Sequence, residues 1–368
     1  MTGTTEQHPV LDVQGISKKF AAKPALKGVG FTAPKASLTV ILGPAGAGKT
    51  TTLRIIAGLD TPDEGDVLLS GLNVAGWEPK DRGVAMIFDN LALYPDKTGF
   101  GNIASPLVIR GESKDVIAAK VNEMAKVLQV TPILGRLPKT MSGGERQRIA
   151  LGRALIRSPQ LFLLDEPLSS LDAKLRIELR AELRRMQRDH GYTFLLATPD
   201  FHEAMAIADT IVMLRQGEVV QIGAPQDIYD RPIDRETALF IGAPQINLIA
   251  ASCEASALHL AGASLPLPQH LETLLRDSTA FELGIRPENL RLAPAAAGAI
   301  RARLTDIESL GPKSVLTVCN DDAQLHLVVP SAEAVGLSGG MDLGIELVDP
   351  AKLLAFDVQT GLRLGHSV

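Results

Sequence analysis

The sequence predicts an α/β P-loop NTPase domain with a helical subdomain, followed by a C-terminal β-barrel domain of the OB-like type. Three observations predict this fold class. A glycine-rich loop separates an apolar run from a helical pattern near residue 50, strand and helix patterns alternate up to about residue 222, and short strand-like runs recur beyond residue 243. Alternating strands and helices are typical of a largely parallel sheet, and short strands separated by Gly, Pro and Asp are typical of a barrel.

The glycine-rich loop connects the apolar residues 38–42 to a helix with apolar positions at Leu53 and Ile56. It fits the phosphate-binding pattern G-x-x-x-x-G-K-[ST] and consists of Gly43, Pro44, Ala45, Gly46, Ala47, Gly48, Lys49, Thr50 and Thr51. Small residues let backbone N–H groups approach phosphate oxygens, and the helix N-terminus adds partial positive charge. We expect Lys49 to pair with the β- and γ-phosphates and Thr50 to ligate Mg²⁺. The alternative is a loop that merely caps a helix.

A second apolar run, residues 161–164, is predicted to be a buried strand. Asp165 and Glu166 follow at its end, and Pro167 prevents the strand from continuing. Ligands of open α/β sheets bind at the carboxyl ends of strands. The two acids suit separate tasks there, Asp165 holding Mg²⁺ and Glu166 facing the attacking water. The alternative is a pair of solvated loop acids.

A helix is predicted to begin after Ser142, an N-cap residue with Glu145 at capping-box spacing. Capping does not explain the pair Gly143 and Gly144, because glycine weakens a helix unless the backbone must approach something closely. This pair therefore indicates that the backbone approaches another group closely.

Bulk properties exclude several classes of protein. The 368 residues are 45% hydrophobic and 21% charged, as in ordinary globular proteins. The net charge of −5 argues against binding to nucleic acid. Cys253 and Cys319 are expected to be free thiols of a cytosolic protein. No run of 18 apolar residues is present, so we expect any membrane association to depend on a partner.

Two domains are expected, an ATP-binding domain over residues 9–242 and a C-terminal domain over residues 243–368. The helical subdomain is predicted at about residues 90–158, and residues 229–242 are predicted to be a helical linker. Phe20 is placed in a loop between strands at residues 10–13 and 28–32, where its ring either stacks on a base or packs at an edge.

The order of these motifs resembles that of the ATP-binding subunits of ATP-binding-cassette importers, and more narrowly the carbohydrate-uptake branch of maltose and glycerol-phosphate ATPases. Residues 43–50 are similar to the Walker A loop, residues 161–166 to Walker B and residues 169–172 to the D-loop. Residues 141–148 are similar to the signature L-S-G-G-Q-R-Q-R, with Met for Leu and Glu for Gln. Residues 240–244 and 283–289 resemble parts of that branch's C-terminal regulatory domain.

The resemblance implies that two subunits pair head to tail. Each ATP would lie between one chain's Walker A loop and the other chain's signature, which consists of Ser142, Gly143, Gly144 and Glu145. Phe20 would stack on adenine. Residues 89–103 would receive a coupling helix of a membrane permease, with a solute-binding protein as an indirect partner. The chain would be peripheral, at the cytoplasmic face of the inner membrane, and would bind no nucleic acid.

Two positions depart from the family pattern. Asp89 replaces a Gln that touches Mg²⁺ and the water. Its carboxylate could join Thr50 and Asp165 as a metal ligand but adds negative charge beside Glu166. Pro199 replaces a His that contacts the γ-phosphate, and proline has neither a side-chain donor nor an N–H. His202 either substitutes for that His or is a surface residue.

These departures predict an asymmetric pair of ATPases. This chain's own Walker A site would be impaired, while its signature would complete the site of a different partner subunit. A non-catalytic regulatory or scaffold subunit is the alternative, and a soluble cassette ATPase unconnected with transport is a third hypothesis. The solute, a sugar, polyol or phosphorylated glycerol, is implied by the family branch alone.

Overall fold

The structure is a computed structural model that describes residues 8–21, 23–87, 91–157, 159–169, 172–254, 257–275, 280–294 and 299–365. Asp89, and Ser170 and Leu171 of the predicted D-loop, lie outside the described residues. The chain divides into two compact units, Met1–Pro225 and Gln226–Val368.

The first unit combines two sheets with six α-helices among its described residues. Its strands are β1 (Leu11–Phe20), β2 (Lys23–Ala33), β3 (Leu38–Leu42), β4 (Glu64–Leu69), β5 (Leu72–Asn73), β6 (Val84–Ile87), β7 (Leu161–Asp165), β8 (Phe194–Thr198), β9 (Thr210–Arg215) and β10 (Glu218–Gly223). Its helices are α1 (Lys49–Ala57), α2 (Gly99–Ile109), α3 (Lys114–Val127), α4 (Gly143–Leu155), α5 (Ala173–His190) and α6 (Phe201–Ile207), with 3₁₀ turns at Thr131–Ile133 and Pro138–Thr140.

The central sheet of this unit has the strand order β10-β9-β3-β8-β7-β6. Strands β9, β3, β8, β7 and β6 run parallel to one another, and the edge strand β10 pairs antiparallel with β9. Every residue of β3, β7 and β8 is buried, which is why these strands are continuous apolar runs rather than alternating ones. Leu42 pairs with Thr198, and Asp165 pairs with Ala197. The loops that follow β3, β8 and β7 therefore emerge side by side at one edge.

The second sheet is antiparallel, with the order β2-β1-β4-β5. It corrects the predicted loop around Phe20, because β1 continues to Phe20, which pairs with Lys23 at the hairpin end. Both faces of this end of the hairpin are largely exposed. The apolar alternation that identifies a strand in a sequence is therefore missing there.

The helical subdomain consists of α2, α3 and α4, within the predicted residues 90–158. The hydroxyls of Thr98 and Ser113 accept a hydrogen bond from the first turns of α2 and α3, which fixes where these helices begin. Among the described residues, no helix combines the length and the apolar character that crossing a membrane requires.

The second unit is rich in β-structure. Its elements are α7 (Pro225–Asp230), α8 (Arg235–Phe240), β11 (Asn247–Glu254), β12 (Ala257–Leu260), β13 (Ala263–Pro266), α9 (Gln269–Glu272), β14 (Phe281–Ile285), β15 (Leu290–Ala293), β16 (Ile300–Leu310), β17 (Lys313–Cys319), β18 (Gln324–Pro330), β19 (Asp342–Leu347) and β20 (Leu354–Phe356), with 3₁₀ turns at Pro287–Asn289, Ser331–Ala334 and Pro350–Lys352. Two five-stranded sheets, β13-β12-β11-β14-β20 and β15-β19-β16-β17-β18, share one apolar core. The predicted fold class is confirmed.

The boundary between the units lies earlier than the predicted 242/243. The predicted linker is not a linker, because α7 and α8 belong to the second unit. Arg286, only 6% exposed, donates to the carbonyls of Tyr229, Ala238 and Ile241. Ala238 also packs in one apolar cluster with Phe356 of β20. Side-chain contacts at long sequence separation therefore fix these short helices to the β-rich unit.

Candidate nucleotide-binding site

The glycine-rich loop joins β3 to α1 in the arrangement that the sequence predicts. A Cβ on Gly43 would lie 2.0 Å from the backbone oxygen of Leu214 in β9, so only glycine fits at this position. Gly48, the N-cap of α1, has φ of 106°, a backbone conformation that residues other than glycine rarely adopt. The two glycines let the loop turn tightly between the sheet and the helix N-terminus.

Lys49 lies at the centre of this loop. Its side chain is 4% exposed, and Nζ donates to the carbonyls of Gly43 at 2.9 Å and Pro44 at 3.0 Å. Nζ also lies 3.8 Å from Oε1 of Glu166. Burial lowers the pKa of Lys49, while the charges of Glu166 and Asp165 oppose that shift. The structure thus brings the predicted phosphate-binding lysine and the predicted catalytic acid together.

The two acids after β7 occupy different environments. Asp165 is 5% exposed, and its Oδ1 accepts a hydrogen bond from Oγ1 of Thr50 at 3.1 Å. Glu166 has a partly exposed side chain and a left-handed backbone with φ of 45°, which costs a non-glycine residue roughly 1–2 kcal/mol. Its N–H donates to the carbonyl of Ala197, and its carbonyl accepts the hydroxyl of Ser169. These contacts maintain the unfavourable backbone conformation that follows the buried strand.

The pair of Thr50 and Asp165 suits Mg²⁺. A hydroxyl and a carboxylate oxygen are ligands of the kind that Mg²⁺ takes, and this ion usually keeps several waters and binds substrate phosphates besides one or two carboxylates. Among the described residues no group of three His, Cys, Asp or Glu side chains gathers into a metal cage, and a Mg²⁺–nucleotide site does not need one.

The turn after β8 lies between these two loops. The carbonyl of Thr198 accepts the N–H of Gly43 at 3.4 Å, so Pro199 directly follows a residue tied to the Walker A loop. Thr198 Oγ1 donates to the carboxylate of Glu203 and accepts the N–H of Asp200. Sequence reasoning missed Thr198 and Glu203. The signal available in the sequence was an acidic residue on the otherwise apolar side of the predicted helix that became α6.

His202, considered above as a substitute, lies in the first turn of α6 with an exposed side chain. Its ring lies against that of Phe201, with 3.9 Å between the centroids. These are the surroundings of a surface histidine.

The signature residues begin α4 with the predicted capping box. Ser142 Oγ accepts the N–H of Glu145 at 3.2 Å, and Glu145 Oε2 accepts the N–H of Ser142 at 2.6 Å. The backbone N–H of Ser142 lowers the pKa of Glu145, and the charge of Arg136, 3.1 Å from Oε1, adds to the effect. The position of Gly144 is crowded, since a Cβ there would lie 2.9 Å from a methyl carbon of Leu175. Glu145, which stands where the family has Gln, thus places a carboxylate in the first turn of α4, where negative charge is favourable.

Phe20, the predicted adenine-stacking residue, is 49% exposed at the end of β1. The Nζ of Lys18 lies 5.7 Å from its ring centroid. About half of the residue surface is exposed, and stacking on a base stays a prediction.

A groove of about 480 Å³ lies among β6, α2 and α4. Its lining includes Tyr94 from the predicted residues 89–103, together with Ile109 and Arg153. Ile109 is 80% exposed. Arg153, in the last turn of the signature helix, donates to the carbonyls of Leu91 and Ala92. The groove therefore extends further along α2 than the sequence predicts, and its wall is hydrogen-bonded to the helix that carries the signature.

Comparison with known proteins agrees with this geometry. Residues 26–169 match the ABC transporter family, and residues 283–347 match the TOBE domain. The fold and the site define a transport ATPase of the ATP-binding-cassette type. The chain is 40% identical over 361 residues, 97% of both chains, to an sn-glycerol-3-phosphate import ATP-binding protein of Rhizobium johnstonii. It is 39% identical over 366 residues, 96% of this chain and 99% of the relative, to the corresponding protein of Yersinia enterocolitica. The chain belongs to the family of ATP-binding subunits of ABC importers, as the resemblance in the sequence implied.

Solved structures show the same fold in the first unit. A cassette described as dimeric and bound to ADP and Pi, MJ0796, aligns with a TM-score of 0.54 at 26% identity, covering 58% of this chain and 98% of that one. The cbiO1 protein of Clostridium perfringens, part of the ABC transporter complex cbiONQ, aligns with a TM-score of 0.57 at 23% identity, covering 61% and 92%.

Proposed function

We propose that this chain hydrolyses ATP to drive the import of sn-glycerol 3-phosphate or a chemically related polyol or sugar. The observation that carries the proposal is the convergence of Lys49 and Glu166, 3.8 Å apart, at the edge of the sheet where Thr50 contacts Asp165. The solute class is supported by the names of relatives that match nearly the whole chain. Uptake assays with labelled sn-glycerol 3-phosphate, glycerol and maltose, in cells with and without this chain, test it. If cells without this chain lost only the uptake of an unrelated solute, that result would contradict the proposal.

The site residues have separate roles in this proposal. The N–H groups of the loop and the ammonium of Lys49 bind the triphosphate. Thr50 and Asp165 hold Mg²⁺, which when bound neutralises the charge on the phosphates, and Asp89 is a further candidate ligand. Glu166 orients the attacking water, and Phe20 stacks on adenine.

The signature serves the ATP of a second cassette. The Ser142 hydroxyl accepts the N–H of Glu145 within its own helix, and a hydroxyl that accepts still has a proton to donate. Ser142 is exposed at the start of α4. Together with the N–H groups of Gly143 and Gly144 it offers donors to a γ-phosphate across an interface. The dimeric form described for the solved cassette MJ0796 supports this pairing.

The second cassette is a different protein in our proposal, because Pro199 lies where a transition-state donor is needed. It follows β8, which lies between β3, the strand before the Walker A loop, and β7, the strand of the Walker B residues. Removing one transition-state donor typically costs roughly 100- to 1,000-fold in rate. A homodimer would carry that loss at both sites, whereas a heterodimer keeps one competent site.

Native mass spectrometry of the intact transporter tests the heterodimer. The expected result is one copy of this chain and one copy of another ATPase for each pair of permease subunits. Two copies of this chain, with a normal coupled turnover rate, would overturn the proposal.

Glu166→Gln separates this proposal from the alternative of a non-catalytic scaffold. A scaffold predicts unchanged transport. We expect a measurable loss, smaller than that caused by the corresponding exchange in the partner. The contacts of Lys49, Thr50 and Asp165 described above favour a working nucleotide site.

The groove formed by β6, α2 and α4 binds the permease in this proposal, which places the chain at the cytoplasmic face of the membrane. An exposed isoleucine beside Tyr94 and Arg153 suits an amphipathic helix. Ile109→Asp should abolish co-purification with the permease and leave ATP binding unchanged. Val335→Asp is the matched control, because Val335 is 81% exposed in the second unit. Equal co-purification of both variants with the permease would overturn this groove as the docking surface, and failure of the unaltered chain to co-purify with any membrane protein would favour an ATPase unconnected with transport.

A further inference from the structure

Glu203 is a buried acid that the roles above do not use. It lies in α6 with 3% of its surface exposed. Its Oε2 accepts the hydroxyl of Thr198 at 2.6 Å, and that hydroxyl oxygen accepts the N–H of Asp200 at 3.1 Å. The Thr198 hydroxyl, just before Pro199, is therefore held by two partners that both follow Pro199 in the chain.

The turn held in this way is tied to both halves of the nucleotide site. β8 lies between β3 and β7 in the sheet. The carbonyl of Thr198 accepts the N–H of Gly43, and the carbonyl of Ala197 accepts the N–H of Glu166. A displacement of the end of β8 would therefore disturb the hydrogen bonds that Thr198 makes with the Walker A loop and Ala197 makes with Glu166.

Fold stability alone does not account for an acid at this position. Burial raises the pKa of Glu203, and the charge of Asp200 adds to the shift, while Thr198, Arg176 and Arg180 favour the ionised form. Burying a carboxyl group is costly compared with burying an apolar side chain of similar size. The hydrogen bond to Thr198 is the specific contact that an apolar residue could not make.

We propose that Glu203 is a positioning residue that acts through Thr198 and holds residue 199 at the place where a side-chain donor would reach the γ-phosphate. The inference rests on the proposed function, in which Pro199 impairs the site. It adds that the support for a donor persists in this chain although the donor itself is gone. A single exchange at position 199 should then restore hydrolysis, and the restored activity should depend on Glu203.

The test measures ATP hydrolysis by the purified full-length chain at concentrations at which two copies pair, so that the signature of one copy completes the Walker A site of the other. Pro199→His should raise kcat at least tenfold, part of the roughly 100- to 1,000-fold that one transition-state donor supplies. Adding Glu203→Ala to Pro199→His should remove most of that gain. Adding Glu203→Gln, which keeps an acceptor for the Thr198 hydroxyl, should retain it within about threefold. Nucleotide affinity should change less than twofold throughout, because a donor that acts in the transition state alters kcat rather than ground-state binding.

Exchanges of Thr198 test the same contact from the other side. In the Pro199→His background, Thr198→Ser should retain the gain and Thr198→Val should lose it. Asp234→Ala is the control for general destabilisation, because Asp234 is a buried acid in the second unit that caps α8. It should leave the gain unchanged.

The outcomes separate the two proposals. No gain from Pro199→His would overturn the impaired site and this inference together. A gain that survives both Glu203→Ala and Thr198→Val would overturn the role of Glu203 and leave the impaired site standing. Equal losses for Glu203→Gln and Glu203→Ala would also contradict positioning through an acceptor.

Discussion

Replacing Arg286 by Ala should release α7 and α8 from the second unit. Arg286 is buried, with 6% of its surface exposed, and its guanidinium donates to the backbone carbonyls of Tyr229, Ala238 and Ile241. Its carbon Cζ also lies 4.0 Å from the ring centroid of Tyr229. A hydrogen bond from a charged donor contributes roughly 1.5–3 kcal/mol, and a buried acceptor left unpaired adds a penalty. Because water can enter the space that is created, we expect a loss of about 3–5 kcal/mol.

Amide hydrogen exchange is the suitable assay, because the loss should be local before it is global. With about 1.4 kcal/mol for each factor of ten, amides of α7 and α8 should exchange at least about 100-fold faster. Arg286→Lys should recover part of the loss, since one ammonium group cannot span three carbonyls in the way a planar guanidinium does. Arg291→Ala is the control, because that arginine is 62% exposed and should contribute less than about 1 kcal/mol. Unchanged exchange in α8 would refute the argument and favour a unit that begins at residue 243.

Three further predictions concern the first unit. Gly43→Ala should abolish binding of a fluorescent ATP analogue, because its Cβ would overlap a backbone oxygen of β9, whereas Gly46→Ala, with no atom within 4 Å of its Cβ, should cost only the roughly 1–2 kcal/mol of a left-handed backbone. In thermal unfolding, Glu145→Ala should cost about 1 kcal/mol through loss of the capping box, and Glu145→Gln should cost less than half of that. Below about pH 4, Asp60→Asn should flatten the fall in stability. The hydrogen bond from Arg54 lowers the pKa of Asp60, so the stabilisation is present above the unfolded pKa of about 3.9 and is lost as pH falls through the lower folded pKa. Because Arg54 is 41% exposed, the effect should stay below about 1 kcal/mol.

The sequence predicts the strand, loop and helix around Lys49 because these three elements follow one another directly in the chain. The apolar run, the glycines at obligatory positions and the helix pattern fall within residues 38–58, and the same local logic applies to β7 with Asp165. The capping box at Ser142 is likewise contained in four residues. Where an element and its chemistry are adjacent in the chain, pattern and propensity suffice.

Contacts at long range were beyond this kind of reasoning. Arg286 and Tyr229 are separated by 57 positions, and no local pattern connects them. The predicted boundary at 242/243 followed the change in composition, whereas the actual boundary follows the carbonyls that Arg286 binds. The predicted strands of the hairpin at Phe20 are too short for a different reason. An exposed strand lacks the apolar alternation that identifies a half-buried one.

Pro199 shows how the two levels combine. The sequence identifies a missing imidazole, but that alone does not say whether the change affects catalysis, because a proline after a strand is an ordinary turn residue. The strand order β3-β8-β7 bears on that question, since it places the end of β8 between β3, which leads into the loop before Lys49, and β7, which ends at Asp165. Under the proposed function, strands adjacent in space but not in sequence turn a local departure into a loss of catalysis, and the Pro199→His exchange, alone and combined with changes at Glu203, tests it.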